Sequence, residues 1–489
     1  MTPLNRRFFS HQPNVPGRGI VASYSPVFWT LVVVIGLVAG FGGAALMELL
    51  RAVEHLVWSY DSGSFLHAVE QVSPVHLVLV LLGAGALAGA GAMVLRRLPG
   101  FGGGEVSEAV WLEDGHLALG ASASRGVLSI VIVAMGASLG REAAPQLVGA
   151  ATASRLCEWA GLPRWQRRLL VACGAGAGMA AVYNVPLGGA LFALEVLLGT
   201  LALPLVLPAL ATSVIATAIA WIALGNAGTY HLPSYGVSGT QIAWAVLVGP
   251  LGGLVAVGWA RLIARVHRVR PVGWGRLVAP IIMLGALGLI AIAYPQLLGN
   301  GKDTVQLAVT GALGAGLLAA LVVLKPLVTA GCLGSGAPGG LFTPTLTIGV
   351  LFGALLGDAW TLIWPGAASG SYALIGGGAV LAAAMQGPLA ATVLMIELAH
   401  HSDTLIVPLL LAVAEATIVA RVLGAPSIYS ARLGQPPPSP DADPDATQPD
   451  GLGAIERLDR QPASSDAGVR ASKSTPPRTI PSGRRRTGS

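Results

Sequence analysis

The sequence contains little charge. Asp, Glu, Lys and Arg together make up 11% of its 489 residues, whereas these residues supply roughly a quarter of an ordinary soluble domain. Apolar residues reach 54%, and a soluble fold would leave too little polar side chain to cover its surface. The scarcity of charge therefore argues against a soluble globular protein and predicts a multi-pass integral membrane protein, which we place in the cell membrane.

Cysteine is also scarce. Cys157, Cys173 and Cys332 are odd in number and lie in apolar sequence, which gives neither a disulfide framework nor the ligand spacing of a metal site. We assign them to packing and expect no metal and no cofactor. An intramembrane enzyme would need a polar catalytic set, and the sequence has no HExxH motif and no paired aspartates within its apolar runs. An enzyme is therefore not expected.

Apolar runs without charge follow one another along the chain. Their bounds are 27–47, 76–95, 169–194, 201–227, 242–260, 277–294, 310–324, 341–357 and 369–396. Several reach the length of about 20 residues that one helix needs to cross a bilayer. Others, such as 169–194, contain Gly and Pro in mid-run and predict broken helices. The expected fold is an all-α polytopic membrane protein with more than ten helical segments, many of them tilted or broken, packed closely through abundant glycine.

The two ends of the chain differ from the region 27–433. Residues 1–26 are basic and lead into a long first run without an evident cleavage site, which predicts a retained helix rather than a signal peptide. Residues 434–489 are rich in Pro, Ser and charge and should be disordered. The arginines at 484–486, with the basic N-terminus, favour a cytoplasmic location for both ends. The net charge of +6 lies partly in these ends and suggests a tail near anionic lipid rather than nucleic-acid binding.

An internal repeat relates two halves of the chain, about 27–230 and 240–433. Residues 173–196 read CGAGAGMAAVYNVPLGGALFALEV and residues 375–398 read IGGGAVLAAAMQGPLAATVLMIEL. A gapless alignment matches positions beyond the shared Gly and Ala content, namely Pro186 with Pro388, Leu187 with Leu389 and Glu195 with Glu397. A similar displacement pairs Gly140 with Gly339 and Pro145 with Pro344. Similar composition does not explain these matches, so we predict a transporter-like repeat with a site between its halves near the membrane middle.

Two glycine-rich turns, SLGREAAP and GSGAPGGLFTP, each precede a segment that can form a helix. A helix start carries unpaired N–H groups and about half a positive charge, so two facing starts can bind an anion. A cation site would need several carboxylates, and few acids lie in these runs. Glu142 is itself an anion able to occupy the site, and its protonation would release it, so we interpret it as a gate. The alternative is a helix-capping Glu142 paired with Arg141.

The chain resembles the CLC family of chloride channels and chloride/proton antiporters over roughly residues 27–433. Gly140-Arg141-Glu142 resembles the G-R-E-G-P motif of that family, and the segment from Gly340 to Pro344 matches its G-x-F-x-P motif. The segment 427–430 is similar to the one that carries the family's pore tyrosine, and 184–195 is similar to a further family stretch. The resemblance implies a CLC-like inverted repeat that transports chloride or other small anions, channel-like or coupled to protons.

The same resemblance implies the residues of the site. The anion would be held by the backbone amides of Leu341 and Phe342 and by the hydroxyl of Tyr429, with Glu142 as the gating residue. The resemblance also implies a homodimer in which each subunit has its own pathway. For Phe342 and Tyr429, ordinary packing is the alternative that the residues alone leave open.

Three departures from the family pattern bear on function. Gly103 stands where the family has an anion-coordinating serine, so only the amides of Gly103 and Gly104 remain available there and the preference for chloride over nitrate stays open. Val196 stands where antiporters carry an inner proton-transfer glutamate, which favours channel-like flux. The tail is too short and too polar for the paired nucleotide-binding domains that follow the pore in many relatives. A sodium- or proton-coupled carrier of an organic solute is the alternative function.

Overall fold

A computed structural model of the protein describes residues 24–60, 62–97, 105–233, 235–399 and 403–433. Within these residues the chain forms 17 α-helices and no extended strand. In chain order they are α1 Pro26–Trp58, α2 Phe65–Gln71, α3 Pro74–Leu95, α4 Val106–Leu112, α5 Leu119–Ala134, α6 Ala143–Trp159, α7 Arg164–Tyr183, α8 Pro186–Leu191, α9 Leu203–Leu224, α10 Gly239–Arg268, α11 Gly275–Ala291, α12 Lys302–Val309, α13 Ala315–Gly334, α14 Phe342–Thr361, α15 Ser369–Met385, α16 Pro388–Ala399 and α17 Ile406–Val422. The predicted all-α class with more than ten helical segments is confirmed.

Six of these helices are long and apolar enough to cross a membrane. They are α1, α3, α9, α10, α13 and α14. Several others are apolar but shorter than the about 20 residues of a full crossing. Helices α7 and α15 are nearly filled with buried residues, so they form the interior of the described part of the molecule. The expectation of broken or partial helices is therefore confirmed.

The interrupted runs break where the sequence predicts. Helix α7 ends at Tyr183, the next residue Asn184 has a left-handed φ of +58°, and Pro186 begins α8. The second half repeats this break, because Gln386 has a φ of +62° and Pro388 begins α16. Proline suits the first turn of a helix, where its missing N–H would have no intrahelical partner.

Two helices continue past the charged residues that bound the apolar runs in the sequence. Helix α1 continues past the run 27–47 to Trp58. Its first charged residues, Glu48 and Arg51, lie on the helix surface and form an ion pair at 2.6 Å. Helix α13 begins later than the run 310–324 and continues through Lys325, which is fully buried and donates to the carbonyl of Leu297 at 2.9 Å. Lys325 is tolerated in the span because backbone carbonyl oxygens accept hydrogen bonds from its Nζ.

The two halves repeat the same helix neighbours. Helix α1 packs on α9 and α10 packs on α17, while α6 packs on α7 and α14 packs on α15. These contacts are close because glycines face the partner backbone: a Cβ on Gly40 would lie 2.7 Å from the carbonyl oxygen of Ala216, and one on Gly253 would lie 2.7 Å from that of Ala416. The repeat brings the start of α6 against the start of α14, which positions the candidate site.

Candidate functional site

Two backbone hydrogen bonds join the loops that precede α6 and α14. The N–H of Gly140 donates to the carbonyl of Gly340, and the N–H of Gly340 donates back to Gly140, both at 2.8 Å. A Cβ on either glycine would overlap the carboxylate of Glu142, so this approach needs glycine. The gapless alignment pairs Gly140 with Gly339, whereas the bridge joins it to Gly340. The bridge thus joins residues at different distances from their helices: two residues separate Gly140 from α6, and only Leu341 separates Gly340 from α14.

Glu142 immediately precedes α6, yet its carboxylate binds the start of α14. Its Oε1 accepts a hydrogen bond from the backbone N–H of Phe342 at 2.6 Å. Its Oε2 lies 3.2 Å from the hydroxyls of Thr343 and Tyr183, which are 2.6 Å from each other. Only 2% of Glu142 is exposed. The carboxylate therefore occupies an amide- and hydroxyl-lined position that could hold a small anion instead.

The Arg141 side chain does not neutralise this carboxylate. Its guanidinium lies over the ring of Tyr183, 5.0 Å from the centroid. Among the ion pairs of the described residues there is none between Arg141 and Glu142. The alternative in which Glu142 only caps α6 and pairs with Arg141 is therefore wrong in this geometry. The cap residue makes no side-chain hydrogen bond to its own helix.

The segment from Gly340 to Pro344 forms the start of α14. Leu341 precedes the helix, Phe342 is its first residue and Pro344 is its third, where a proline removes no intrahelical bond. The Phe342 ring is buried against Tyr183, with centroids 5.6 Å apart. The ring of Phe342 therefore packs in the interior, as the packing alternative expects, while its backbone N–H contacts the carboxylate of Glu142.

Tyr429 lies at the same site from the C-terminal end of the described chain. Its ring packs edge-on against Phe192 with centroids 5.6 Å apart, and its hydroxyl lies 3.9 Å from the sulfur of Met385. Tyr429, Glu142 and Leu341 line one cavity of about 30 Å³. We call it the inner cavity; its charged or hydroxyl-bearing lining residues are Glu105, Ser107, Arg125, Ser129, Glu142, Tyr429 and Arg432.

Gly103 and Gly104, the expected remainder of the anion site, lie outside the described residues, as do residues 1–23 and 434–489. The sequence interpretation noted the loss of a serine hydroxyl at Gly103. The structure brings two other serines, Ser107 and Ser129, to the inner cavity. Nothing in the local motif pointed to them, because Ser129 belongs to α5 and reaches the cavity only through helix packing.

A larger cavity, about 520 Å³, opens beside Arg141 and Tyr183. We call it the vestibule; it is lined by the C-terminal end of α1 and the start of α12. Its charged residues are Arg51, Glu54, Arg141, Lys302 and Asp303. Burial, followed by the positive charge of Arg141, lowers the pKa of the Lys302 ammonium. Glu54 accepts a hydrogen bond from the hydroxyl of Tyr60, and Asp303 accepts one from the N–H of Leu66. The three basic side chains of the vestibule outnumber its two carboxylates, which favours an anion over a cation there.

Glu195 and Glu397, matched in the sequence repeat, each cap a short helix in the opposite half of the chain. The carboxylate of Glu195 accepts from the N–H groups of Leu389 and Ala390 at 3.2 and 2.5 Å. The carboxylate of Glu397 accepts from the N–H groups of Leu187 and Gly188 at 3.0 and 2.6 Å. Each glutamate thus satisfies the first amides of the short helix in the opposite half. Val196, the residue after Glu195, is buried and carries no titratable group.

Comparisons with known sequences agree on one family. A family model described as "Voltage gated chloride channel" matches residues 84–421. A protein of Citrobacter koseri named "Voltage-gated ClC-type chloride channel ClcB" is 31% identical over 408 residues, which cover 82% of this chain and 97% of that protein. A protein of the same name from Escherichia coli is 32% identical over 413 residues, covering 83% of this chain and 98% of the relative.

Solved structures show a similar fold. A slow cyanobacterial Cl−/H+ antiporter has a TM-score of 0.74 at 22% identity, covering 83% of this chain and 97% of the other. A CLC-type fluoride/proton antiporter has a TM-score of 0.67 at 21% identity with the same coverage. At these identities the likeness shows the fold alone, over nearly the whole length of both solved structures.

Proposed function

The chain belongs to the CLC family of chloride channels and chloride/proton antiporters, and from this premise we propose that the carboxylate of Glu142 gates its anion pathway. The family is one of integral membrane proteins that move chloride, as channels or coupled to protons, and its members are not enzymes. Family membership therefore gives chloride transport as the coarse function and leaves the organic-solute carrier without support. The gate, the range of anions and the coupling are the finer parts of the proposal.

One observation carries the gate: the Glu142 carboxylate accepts the Phe342 N–H at 2.6 Å at the start of a 20-residue helix. That N–H has no intrahelical partner and points along the positive end of the helix dipole. A carboxylate and a halide compete for such a donor because both are anions. While Glu142 holds the amide, a permeating anion cannot bind there.

The release step follows from charge. Glu142 lies between the vestibule, which is lined by Arg141 and Tyr183, and the inner cavity, which Glu142 itself lines. Protonation removes the charge that the Phe342 amide stabilises and weakens the hydrogen bonds that Phe342, Thr343 and Tyr183 donate to the carboxylate. The side chain then leaves, and an anion attracted by the vestibule cations takes its place, with the hydroxyls of Tyr183 and Thr343 available as donors. Flux should therefore rise as the pH falls.

Channel-like flux is the form of transport that we propose. Proton coupling needs a titratable relay or a water chain across protein of low dielectric. Val196 offers no titratable group, and the adjacent Glu195 carboxylate is held by the amides of Leu389 and Ala390. This segment therefore supplies no free carboxylate as a proton relay. We further propose, from the family resemblance, a homodimer with one pathway per subunit, and other small anions as additional substrates.

The proposal is tested by chloride efflux from proteoliposomes at several external pH values. Glu142→Ala should raise efflux at neutral pH by about tenfold or more, because one hydrogen bond to a charged group is worth about 1.5–3 kcal/mol and 1.4 kcal/mol corresponds to tenfold. The variant should also lose its pH dependence. The matched control is Glu70→Ala, an exposed glutamate on α2, which should behave as the unmodified protein. Unchanged pH dependence in Glu142→Ala would make Glu142 a structural residue.

A further inference from the structure

Helix α10 exposes a row of arginines along its last two turns. The row consists of Arg261, Arg265 and Arg268, and all three side chains are exposed. Their spacing of four and three residues places them on one side of the helix. From the first to the last they span about 10 Å along the helix axis, at 1.5 Å per residue. We call these three residues the arginine face.

No carboxylate of the described chain balances the arginine face. The sequence contains no Asp or Glu from residue 196 to residue 302, and the ion pairs of the described residues do not include the arginine face. Arg261 donates to the carbonyl of Leu423 at 3.1 Å, and Arg268 donates to that of Ala264 in its own helix at 3.3 Å. These contacts occupy one nitrogen of each guanidinium and leave its charge uncompensated. Like charges at this spacing destabilise a helix, so a negative charge from outside the chain would stabilise the row.

The equivalent helix of the first half is balanced. Helix α1 packs on α9 as α10 packs on α17, and Gly40 makes the same close backbone contact as Gly253. Counted from these two glycines, Glu48 stands in α1 at the position of Arg261 in α10, and it forms an ion pair with Arg51 at 2.6 Å. The excess of positive charge therefore belongs to the end of α10 and is not a feature of the repeated helix.

The arginine face lies at the end of the molecule where the described chain also ends. Arg261 contacts Leu423, which directly follows α17, and the segment 427–430 comes next along the chain. The predicted orientation places this C-terminal segment on the cytoplasmic side. The arginine face is then at the cytoplasmic surface of the membrane, where anionic lipids attract basic segments.

An apolar row leads from the arginine face toward the middle of α10. Leu247, Leu251 and Leu254 are 56%, 45% and 52% exposed, and their spacing places them on the same side of the helix as the arginines. On the other side of the arginine face along the chain, Trp274 is 77% exposed in the linker to α11. Tryptophan is typical of the boundary between hydrocarbon and headgroups. The arginine face is therefore placed at headgroup depth, next to a surface that suits an acyl chain.

We propose that the arginine face binds the headgroup phosphate of an anionic phospholipid in the cytoplasmic leaflet, with an acyl chain of that lipid along the leucine row. Guanidinium groups donate paired hydrogen bonds that match phosphate oxygens. A zwitterionic lipid brings its own ammonium group and leaves the excess charge in place, so an anionic headgroup fits better. The positive-inside bias accounts for the side of the membrane, but it does not require arginines in line with exposed leucines on one helix face. The lipid site does not depend on Glu142 being the gate.

Native mass spectrometry tests the lipid site. The full-length protein, freed of lipid in a nonionic detergent, is titrated with phosphatidylglycerol and separately with phosphatidylethanolamine. The test variant combines Arg265→Gln with Arg268→Gln and keeps the contact of Arg261 with Leu423. We expect the unmodified protein to prefer phosphatidylglycerol. A basic residue near an anionic lipid surface contributes about fivefold in affinity, or about 1 kcal/mol, so the variant should bind phosphatidylglycerol about 25-fold more weakly. Equal binding of the two lipids, or unchanged affinity in the variant, would overturn the proposal.

Two paired arginines supply the matched control. Arg155 lies 3.7 Å from Glu158 and Arg164 lies 3.4 Å from Asp114, and the two arginine side chains are 50% and 82% exposed. Arg164 begins α7 beside the start of α1, at the end of the molecule that is also predicted to be cytoplasmic. Arg155→Gln with Arg164→Gln removes the same charge from positions that face carboxylates, and it should leave phosphatidylglycerol binding unchanged. An equal loss of affinity in this control would show that only net charge matters, which contradicts a site on α10.

Two further measurements keep the test decisive. If the double variant is not monodisperse, Arg265→Gln alone is titrated and should bind phosphatidylglycerol about fivefold more weakly. Unchanged affinity in that single variant contradicts the site. Sodium phosphate, added to the unmodified protein at the concentration of the lipid, separates a lipid headgroup from free phosphate as the ligand. Retention of phosphatidylglycerol supports the lipid, whereas its displacement would assign the arginine face to a soluble phosphate and overturn the proposal.

Discussion

At the residue scale, the two bridging glycines matter as much as the carboxylate they surround. Gly140 and Gly340 exchange 2.8 Å hydrogen bonds, and their missing side chains leave the space that the Glu142 carboxylate fills. The same space would be available to an anion once the carboxylate leaves. Glycine at these two positions is therefore a requirement of the proposed binding position.

We expect Gly340→Ala to displace Glu142 from the Phe342 amide, because the new methyl group would overlap its carboxylate. Overpacking of this kind costs about 1–3 kcal/mol, so the thermal midpoint in detergent should fall. Chloride efflux should lose its dependence on pH, as in Glu142→Ala. The control is Gly316→Ala on α13, where an added Cβ meets no atom within 4 Å. Normal gating in Gly340→Ala would mean that the carboxylate does not need the observed position.

At the element scale, each half of the chain completes the other. Helices α8 and α16 are short, with 6 and 12 residues, and each has its first amides capped by a glutamate from the opposite half. The start of α14 is likewise capped across the repeat, by Glu142. Short helices gain little from their own backbone bonds, so these capping carboxylates contribute a larger part of their stability than they would in a long span.

We predict that Glu195→Gln and Glu397→Gln each lower the free energy of unfolding by about 1–2 kcal/mol. An amide oxygen still accepts from the helix start but without charge, which halves the strength of such a bond and removes the favourable interaction with the helix dipole. Thermal unfolding in detergent measures this loss, with Glu70→Gln as the exposed control. A large change in chloride efflux with no change in the thermal midpoint would instead assign Glu195 to the transport pathway.

At the scale of the whole molecule, the proposed gate at Glu142 has no titratable partner at Val196, and the carboxylate of the adjacent Glu195 is bound by the amides of Leu389 and Ala390. We therefore expect that an inward chloride gradient will not drive protons uphill in proteoliposomes. Simultaneous recordings of chloride and of external pH test this. Val196→Glu alone should not create pumping, because a relay also needs a water path to Glu142. Sustained uphill proton movement that Glu142→Gln abolishes would establish an antiporter.

The sequence was informative wherever periodicity or a motif acts locally. The breaks before Pro186 and Pro388, the all-helical class and the convergence of Glu142 with Phe342 all followed from the pattern of apolar runs, from the repeat and from the family motifs. What depends on packing between distant helices could not be predicted. Tyr183 beside Glu142, and Arg432 beside Glu105, are separated by 41 and 327 residues, and no spacing rule joins them. Their contacts exist only because the two halves fold against each other.

The central claim is that the Glu142 carboxylate occupies an anion-binding position. Crystals of Glu142→Gln and of the unmodified protein, both grown in bromide at neutral pH, test it most directly, because bromide is located by its anomalous scattering. The account predicts a bromide peak at hydrogen-bond distance from the Phe342 nitrogen in Glu142→Gln, with the glutamine side chain displaced, and none there in the unmodified protein. A Glu142→Gln structure in which the glutamine still accepts the Phe342 N–H, with no bromide beside that nitrogen at saturating concentration, would contradict the account.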